Sequence, residues 1–200
     1  MTGLFPTLPV FLDLAGRAVI VIGAHAALDD LAERCAACGA GVRRFAARSA
    51  NGGRRTWRAA DLRGAALVAM APDAPRATRA RLAARAAGAM FVKIDAPAHS
   101  DIALGAAGAR GMVSIGVDAS GAPGAVARAV ERAVTRRLPP QIEPFAAAAA
   151  ACADLVRDTL TDAVRTDAFW RALAEEAWSH DGDDAPDWRA IIRARLSTMS

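Results

Sequence analysis

The alternation of strand-like and helical segments constrains the fold of this chain most. An apolar run at residues 18–22 is followed by a single glycine, Gly23, and then by a helical stretch over about 26–38. A second strand-like run follows near 42–46. Parallel strands need a crossover connection, usually a helix, so this order predicts a βαβ unit of the Rossmann type.

The same alternation continues along the chain. Apolar runs at 65–71 and 88–95 predict two further strands, with a helix around 75–87 between them. Strands separated by helices are typical of a mostly parallel sheet that has helices on both faces. We therefore expect an α/β fold with a Rossmann-like sheet, followed by one or two more strands between 101 and 124.

The last third of the chain shows only helical periodicity. A helix over 124–137 stops at a Leu-Pro-Pro sequence, and its apolar residues suit burial against a second copy of the chain. We expect a Rossmann-like domain over 1–115, a dimerisation segment over 116–145 and a small helical C-terminal module over 146–200.

The charge distribution favours an anionic ligand. Residues 1–150 carry 19 basic and 11 acidic side chains, a net charge of +8, whereas residues 151–200 carry 6 and 10, a net charge of −4. A positive first part suits a nucleotide or a polycarboxylate. Nucleic acid is disfavoured as a partner because the arginines are scattered, without a basic, aromatic-interleaved element.

The three cysteines indicate a reducing compartment. Their number is odd, and the sequence has no signal peptide and no transmembrane run, so we expect a cytoplasmic protein that does not contact a membrane. Cys35 and Cys38 have redox-motif spacing, but they lie near the end of the first predicted helix, where its dipole would not lower a thiol pKa. We interpret both as ordinary buried cysteines, and no His/Cys cluster has structural-metal spacing.

The turn after the first strand departs from a dinucleotide-binding fingerprint. That fingerprint places glycines at the turn and at the closest approach of the pyrophosphate, and then a small residue against the strand. Here Gly23 makes the turn, His25 takes the approach position and Leu28 takes the packing position. Dinucleotide binding therefore stays open. The candidate cofactor-binding residues are Gly23, Ala24, His25, Ala26, Ala27, Ala47 and Arg48.

No acidic residue ends the second strand to accept a ribose hydroxyl. Arg43, Arg44 and Arg48 lie there instead. They would tolerate a 2′-phosphate, although solvated surface charge is the favoured interpretation.

Four segments of the chain match a known family in their order and spacing. They read LPVFLDLAGRAVIVIG, LVAMAPD, VKIDAP and GVDASGAPGAVARAVERAV. Together they resemble the precorrin-2 dehydrogenase/sirohydrochlorin ferrochelatase family, the N-terminal module of siroheme synthase, over about residues 8–138 and weakly into the helical tail. The family implies a homodimer that oxidises precorrin-2, an anionic tetrapyrrole, to sirohydrochlorin with NAD. In some members ferrous iron is then inserted as a second substrate.

The resemblance assigns the family's acid–base aspartate to Asp95, at the end of the fourth strand. A carboxylate at the C-terminal edge of a sheet can accept the protons that both reactions release. His99 is a candidate metal or propionate contact, and Arg110 is a further candidate for the carboxylates. The substrate-binding candidates are Ser120, Gly121, Arg128 and His99. The altered turn at 23–28 leaves a second hypothesis open, a non-catalytic or chelatase-only tetrapyrrole-binding homologue with a degraded NAD site.

Overall fold

The computed structural model describes residues 8–48, 55–119, 122, 124–180 and 186–199. The chain divides into two compact units, residues 1–104 and 105–200. The first unit therefore ends before the boundary predicted after residue 115. Residues 105–115 belong to the second unit because they form part of a separate hairpin and do not extend the parallel sheet.

The first unit is a four-stranded parallel sheet with two helices. Its elements are β1 (Ala18–Ile22), α1 (Ala26–Ala37), β2 (Gly41–Phe45), β3 (Ala65–Met70), α2 (Ala77–Ala86) and β4 (Met90–Lys93), with short 3-10 helices at Ala59–Leu62 and Pro97–His99. The strand order is β2-β1-β3-β4, and every neighbouring pair is parallel. The Rossmann-like fold expected from the sequence is confirmed.

The two central strands are buried on both faces. Every residue of β3 is buried, as are four of the five residues of β1. Right-handed crossovers place α1 and α2 on opposite faces, because β1 leads to β2 in one direction and β3 leads to β4 in the other. This two-sided burial explains why these strands are continuous apolar runs rather than alternating ones.

Cys35 lies in the core of the first unit. It is 4% exposed on α1, and burial raises the pKa of its thiol, with a further contribution from Cys38. The prediction of a buried cysteine is confirmed for Cys35 and is wrong for Cys38, which is exposed because it caps the C-terminal end of α1.

The second unit begins with an antiparallel hairpin of β5 (Ala106–Arg110) and β6 (Val113–Val117). The helix α3 (Gly124–Arg137) packs on this hairpin through Gly108. A Cβ atom at Gly108 would lie 1.9 Å from the Glu131 carboxylate, so the glycine makes room for that buried side chain. Thr135 donates a hydrogen bond to the same carboxylate at 2.7 Å.

Three helices complete the second unit: α4 (Ile142–Thr159), α5 (Ala163–Ser179) and α6 (Trp188–Ser197). They bury a separate apolar core that includes Phe145, Leu173 and Ile192, with the Phe145 and Trp188 rings edge to face at 5.4 Å. The helical tail expected from the sequence is confirmed. No helix in the described part of the chain is long and apolar enough to span a membrane.

Candidate functional site

The strand order places a topological switch point at the carboxyl ends of β1 and β3. The chain leaves β1 toward β2 on one side, and it leaves β3 toward β4 on the other. Open parallel sheets bind ligands at such a switch point, outside the carboxyl ends of the strands. The connections that line this edge begin at Gly23 after β1 and at Ala71 after β3.

Position 23 at this edge requires a glycine, because of its backbone conformation and because neighbouring atoms leave no room for a side chain. Its φ is +98°, and a Cβ atom there would lie 2.7 Å from the Cβ of Ala71 and 3.5 Å from that of Ala47. Its N–H donates to the Phe45 carbonyl at 2.9 Å, so the turn stays tied to β2. Gly23 and Ala47, two of the predicted cofactor residues, therefore lie next to each other. With Ala71 they bring the ends of β1, β2 and β3 close together.

His25 has a structural role in the same turn. It is the N-cap of α1, and its Nδ1 accepts a hydrogen bond from the Ala27 N–H at 3.2 Å. An accepting nitrogen must be unprotonated, so this cap forms with the neutral imidazole. The N–H groups of Leu28 and Asp29 both donate to the His25 carbonyl.

These contacts bear directly on NAD binding. A pyrophosphate at a helix N-terminus is held by unpaired N–H groups of the first turn. Here the Ala27 N–H is taken by the exposed imidazole, and Leu28 is completely buried in the core where the fingerprint has a small residue. The residues of this loop therefore do not fit a fingerprint-type pyrophosphate contact in this conformation. Ala24 and Ala26 are exposed beside it.

The arginines at the end of β2 are mostly engaged within the protein. Arg43 donates to the Asp61 carbonyl at 3.0 Å, and Arg44 forms an ion pair with Asp29. Arg48 is exposed at the end of this segment. A 2′-phosphate contact, one of the alternatives from the sequence, would thus depend on Arg48.

Asp95 lies at the same edge of the sheet, after β4. Because β3 separates β4 from β1, the ends of β1 and β4 are about 10 Å apart. The Ile94 N–H still donates to the Met70 carbonyl of β3, so Asp95 follows the last residue bonded to the sheet. Its side chain is exposed, and no described residue forms a hydrogen bond or ion pair with its carboxylate.

The backbone of Asp95 adopts a conformation that L-residues rarely adopt. Its φ is +56°, and apart from Arg76 it is the only non-glycine residue with a positive φ in the described chain. Residues in such conformations cluster at functional sites, where the surrounding structure holds them in place. An exposed, unpaired carboxylate on a strained turn at the ligand-binding edge of the sheet is therefore a candidate acid–base group.

Two residues that the sequence analysis did not single out hold the segment after Asp95. Ser100 contacts the turn through its hydroxyl, and Asp101 receives hydrogen bonds from Arg81 at 2.9 Å and Arg85 at 2.6 Å. Desolvation acts to raise the pKa of the Asp101 carboxyl, but the two guanidinium groups outweigh it and hold that pKa below its usual value. Asp101 is thus ionised, and it anchors this segment to α2.

The remaining predicted residues are placed as follows. His99 is exposed at the end of a short 3-10 helix, and the described residues contain no group of three or more His, Cys, Asp or Glu side chains suited to a metal ion. Arg128 is exposed on α3 of the second unit. Arg110 donates a hydrogen bond to the Leu138 carbonyl, so it holds the end of α3. Ser120 and Gly121 lie outside the described residues.

The fold and the site define a class. A parallel sheet with a switch point at β1 and β3, a glycine turn there and an unpaired carboxylate along the same edge make this a Rossmann-like α/β protein with a candidate catalytic edge. No model of a protein family matches the chain, and no curated protein sequence matches it.

The similarity to known structures is much clearer. The chain is similar to the solved structure of SirC, a precorrin-2 dehydrogenase, with a TM-score of 0.61 and 14% sequence identity. The similarity covers 96% of this chain and 100% of SirC. At this identity the likeness shows a shared fold, and that fold is the one implied by the sequence resemblance.

Proposed function

We propose that this chain is an enzyme of siroheme biosynthesis that acts on an anionic tetrapyrrole with Asp95 as its acid–base group. The observation that carries the proposal is the exposed, unpaired Asp95 carboxylate at the carboxyl edge of the sheet. The fold likeness to a precorrin-2 dehydrogenase supports the substrate class. We also propose that the protein works in the cytoplasm.

Oxidation of precorrin-2 to sirohydrochlorin is the first candidate reaction. This reaction removes from the macrocycle a hydride, for which the family's acceptor is NAD, and a proton, which the carboxylate of Asp95 would accept. A positioned carboxylate contributes about 10²–10⁴-fold to such a step. The family uses NAD as hydride acceptor, but the loop at residues 23–28 does not fit a fingerprint-type contact, so we derive no step through the nucleotide.

Metal insertion into sirohydrochlorin is the second candidate, and the hydrogen bond between His25 and Ala27 favours it. This reaction needs no dinucleotide. Ferrous iron is its substrate, and two pyrrole N–H groups must lose their protons as the metal enters. Asp95 can accept these protons one after the other from the same position on the sheet edge, because its exposed carboxyl group can pass the first proton to solvent. Metal insertion therefore depends on Asp95 at the sheet edge and does not depend on the altered loop at residues 23–28.

A polycarboxylate also suits the second unit taken by itself. Arg128, Arg132 and Arg136 are exposed at every fourth position of α3, so they form one row along the helix. No described carboxylate is ion-paired with any of them. A row of guanidinium groups offers bidentate contacts to carboxylates, so Arg128 remains a candidate substrate contact.

We propose that α3 also forms a homodimer contact. Val126, Val130 and Val134 lie at every fourth position, and each is 41–46% exposed. An apolar ridge of this kind on a helix surface is typical of packing against another helix. The family resemblance supports a second copy of the chain as the partner.

The test uses the purified protein and its Asp95→Asn variant. Precorrin-2 with NAD or NADP, and sirohydrochlorin with ferrous iron, are followed by their absorbance spectra. We expect Asp95→Asn to lower the rate of the active reaction by about 10²–10⁴-fold with little change in tetrapyrrole affinity, because the substitution removes proton transfer and keeps the shape. Unchanged turnover in Asp95→Asn would contradict the proposed role. Tetrapyrrole binding without turnover in either assay would favour a binding protein.

A further inference from the structure

The segment after β4 folds back along the open edge of the sheet. β4 is an edge strand, and its Phe91 carbonyl and Lys93 N–H face away from β3. The Asp101 N–H donates to the Phe91 carbonyl at 2.7 Å, and the Lys93 N–H donates to the Ser100 hydroxyl at 2.9 Å. The chain thus leaves β4, turns at Asp95 and returns beside the strand that it has just left.

Asp95 occupies the third position of a four-residue turn. The turn runs from Lys93 to Ala96, and the Ala96 N–H donates to the Lys93 carbonyl at 3.2 Å. A positive φ at the third position is the geometry that favours glycine or asparagine. An aspartate there is strained unless contacts around the turn hold it.

The Ser100 hydroxyl supplies contacts on both sides of Asp95. Its oxygen accepts from the Lys93 N–H, donates to the Ala96 carbonyl at 3.0 Å and lies 3.3 Å from the Lys93 carbonyl. One atom therefore joins the first and last residues of the turn. Asp101 then anchors the returning segment to α2, so Ser100 is held against the turn rather than free to move with it.

We infer that Ser100 is a positioning residue that holds Asp95 in its left-handed conformation and so directs the Asp95 carboxylate at the sheet edge. Without the hydroxyl, the turn can relax to a negative φ at Asp95, and the carboxylate then points elsewhere. The catalytic part of this inference rests on the proposed function. The conformational part does not depend on any activity.

The conformational part is tested by thermal unfolding. Glycine at position 95 relieves the strain, so Asp95→Gly should raise the melting temperature of the parent protein by up to about 2 °C. In a Ser100→Ala background the turn has already relaxed, and the same Asp95→Gly substitution should then give no increase. An equal increase in both backgrounds would overturn the inference, whether or not the protein shows turnover.

The catalytic part is tested by a double-mutant cycle on turnover. Ser100→Ala should lower kcat at least tenfold with little change in KM, and Ser100→Thr, which keeps the hydroxyl, should restore most of the rate. In an Asp95→Asn background, Ser100→Ala should have no further effect on kcat. If Ser100 had only a structural role, Ser100→Ala would lower kcat by the same factor in the parent protein and in Asp95→Asn. If Asp95→Asn lowers kcat by about 10²–10⁴-fold and Ser100→Ala leaves kcat unchanged, the proposed function stands and the role of Ser100 is wrong.

Discussion

Replacing Asp95 by glycine should stabilise the protein and inactivate it at the same time. The substitution removes a side chain from a position with φ of +56°. No described group is hydrogen-bonded or ion-paired to the carboxylate, so its removal leaves no partner unsatisfied. A stabilising change that destroys activity is typical of a residue kept for function at the expense of the fold.

The size of the gain follows from backbone energetics. A left-handed conformation costs an L-residue roughly 1–2 kcal/mol, and aspartate is near the lower limit because its short polar side chain tolerates this region. Glycine avoids that strain but loses about 0.5–1 kcal/mol through its greater freedom in the unfolded chain. The difference is a rise in the free energy of unfolding of up to about 0.5 kcal/mol.

Urea denaturation followed by circular dichroism measures this difference. Arg76→Gly is the matched control, because Arg76 is also exposed with a positive φ, +66°, at the start of α2. It should stabilise the protein by a similar or larger amount and leave turnover unchanged. If Arg76→Gly stabilises the protein and Asp95→Gly destabilises it, the Asp95 side chain supports the fold, and the reasoning from strain is refuted.

Three further predictions concern the cofactor loop, acid stability and assembly. Calorimetry should show weak NAD binding by the parent protein and tighter binding by His25→Gly, because the Ala27 N–H is then free to bind a phosphate. If the parent protein binds NAD as tightly as a protein with an intact fingerprint does, the argument from His25 is wrong. Hydrogen bonds from Arg55 lower the pKa of Asp61 from 3.8 to about 2, so the stabilisation by the ionised Asp61 is complete above about pH 4 and is lost as the pH falls to 2. Asp61→Asn should therefore flatten the dependence of the urea midpoint on pH over that interval. An unchanged dependence would be evidence against a stabilising Arg55–Asp61 pair. Light scattering should show a dimer that Val130→Asp converts to a monomer, and a monomeric parent protein would exclude the proposed contact on α3.

The local elements could be predicted from the sequence because their signals are local. The runs at 18–22 and 65–71 are apolar throughout, and the structure buries them on both faces as β1 and β3. The helix predicted over 124–137 has the same bounds in the structure. The position of Asp95 at the end of a strand was also readable, since the carboxyl ends of parallel strands meet at one edge.

The N-cap role of His25 had no comparable signal. Histidine is not among the preferred N-cap residues, so composition and spacing did not indicate that its ring would cap α1. The unit boundary after residue 104 was equally hidden. A short strand does not show in its sequence whether it joins the parallel sheet or pairs in a separate hairpin, because the choice depends on the partner strand.

The conformation of Asp95 was decided by tertiary structure alone. The hydroxyl of Ser100 closes its turn, and Arg81 and Arg85, which lie 20 and 16 residues before Asp101, hold the returning chain on α2. Aspartate tolerates a positive φ better than most residues, but the conformation still costs about 1 kcal/mol, so contacts around the turn have to hold it. The sequence by itself therefore determined which residue stands at the sheet edge, and only the packing of the returning segment on α2 determined how its carboxylate is presented.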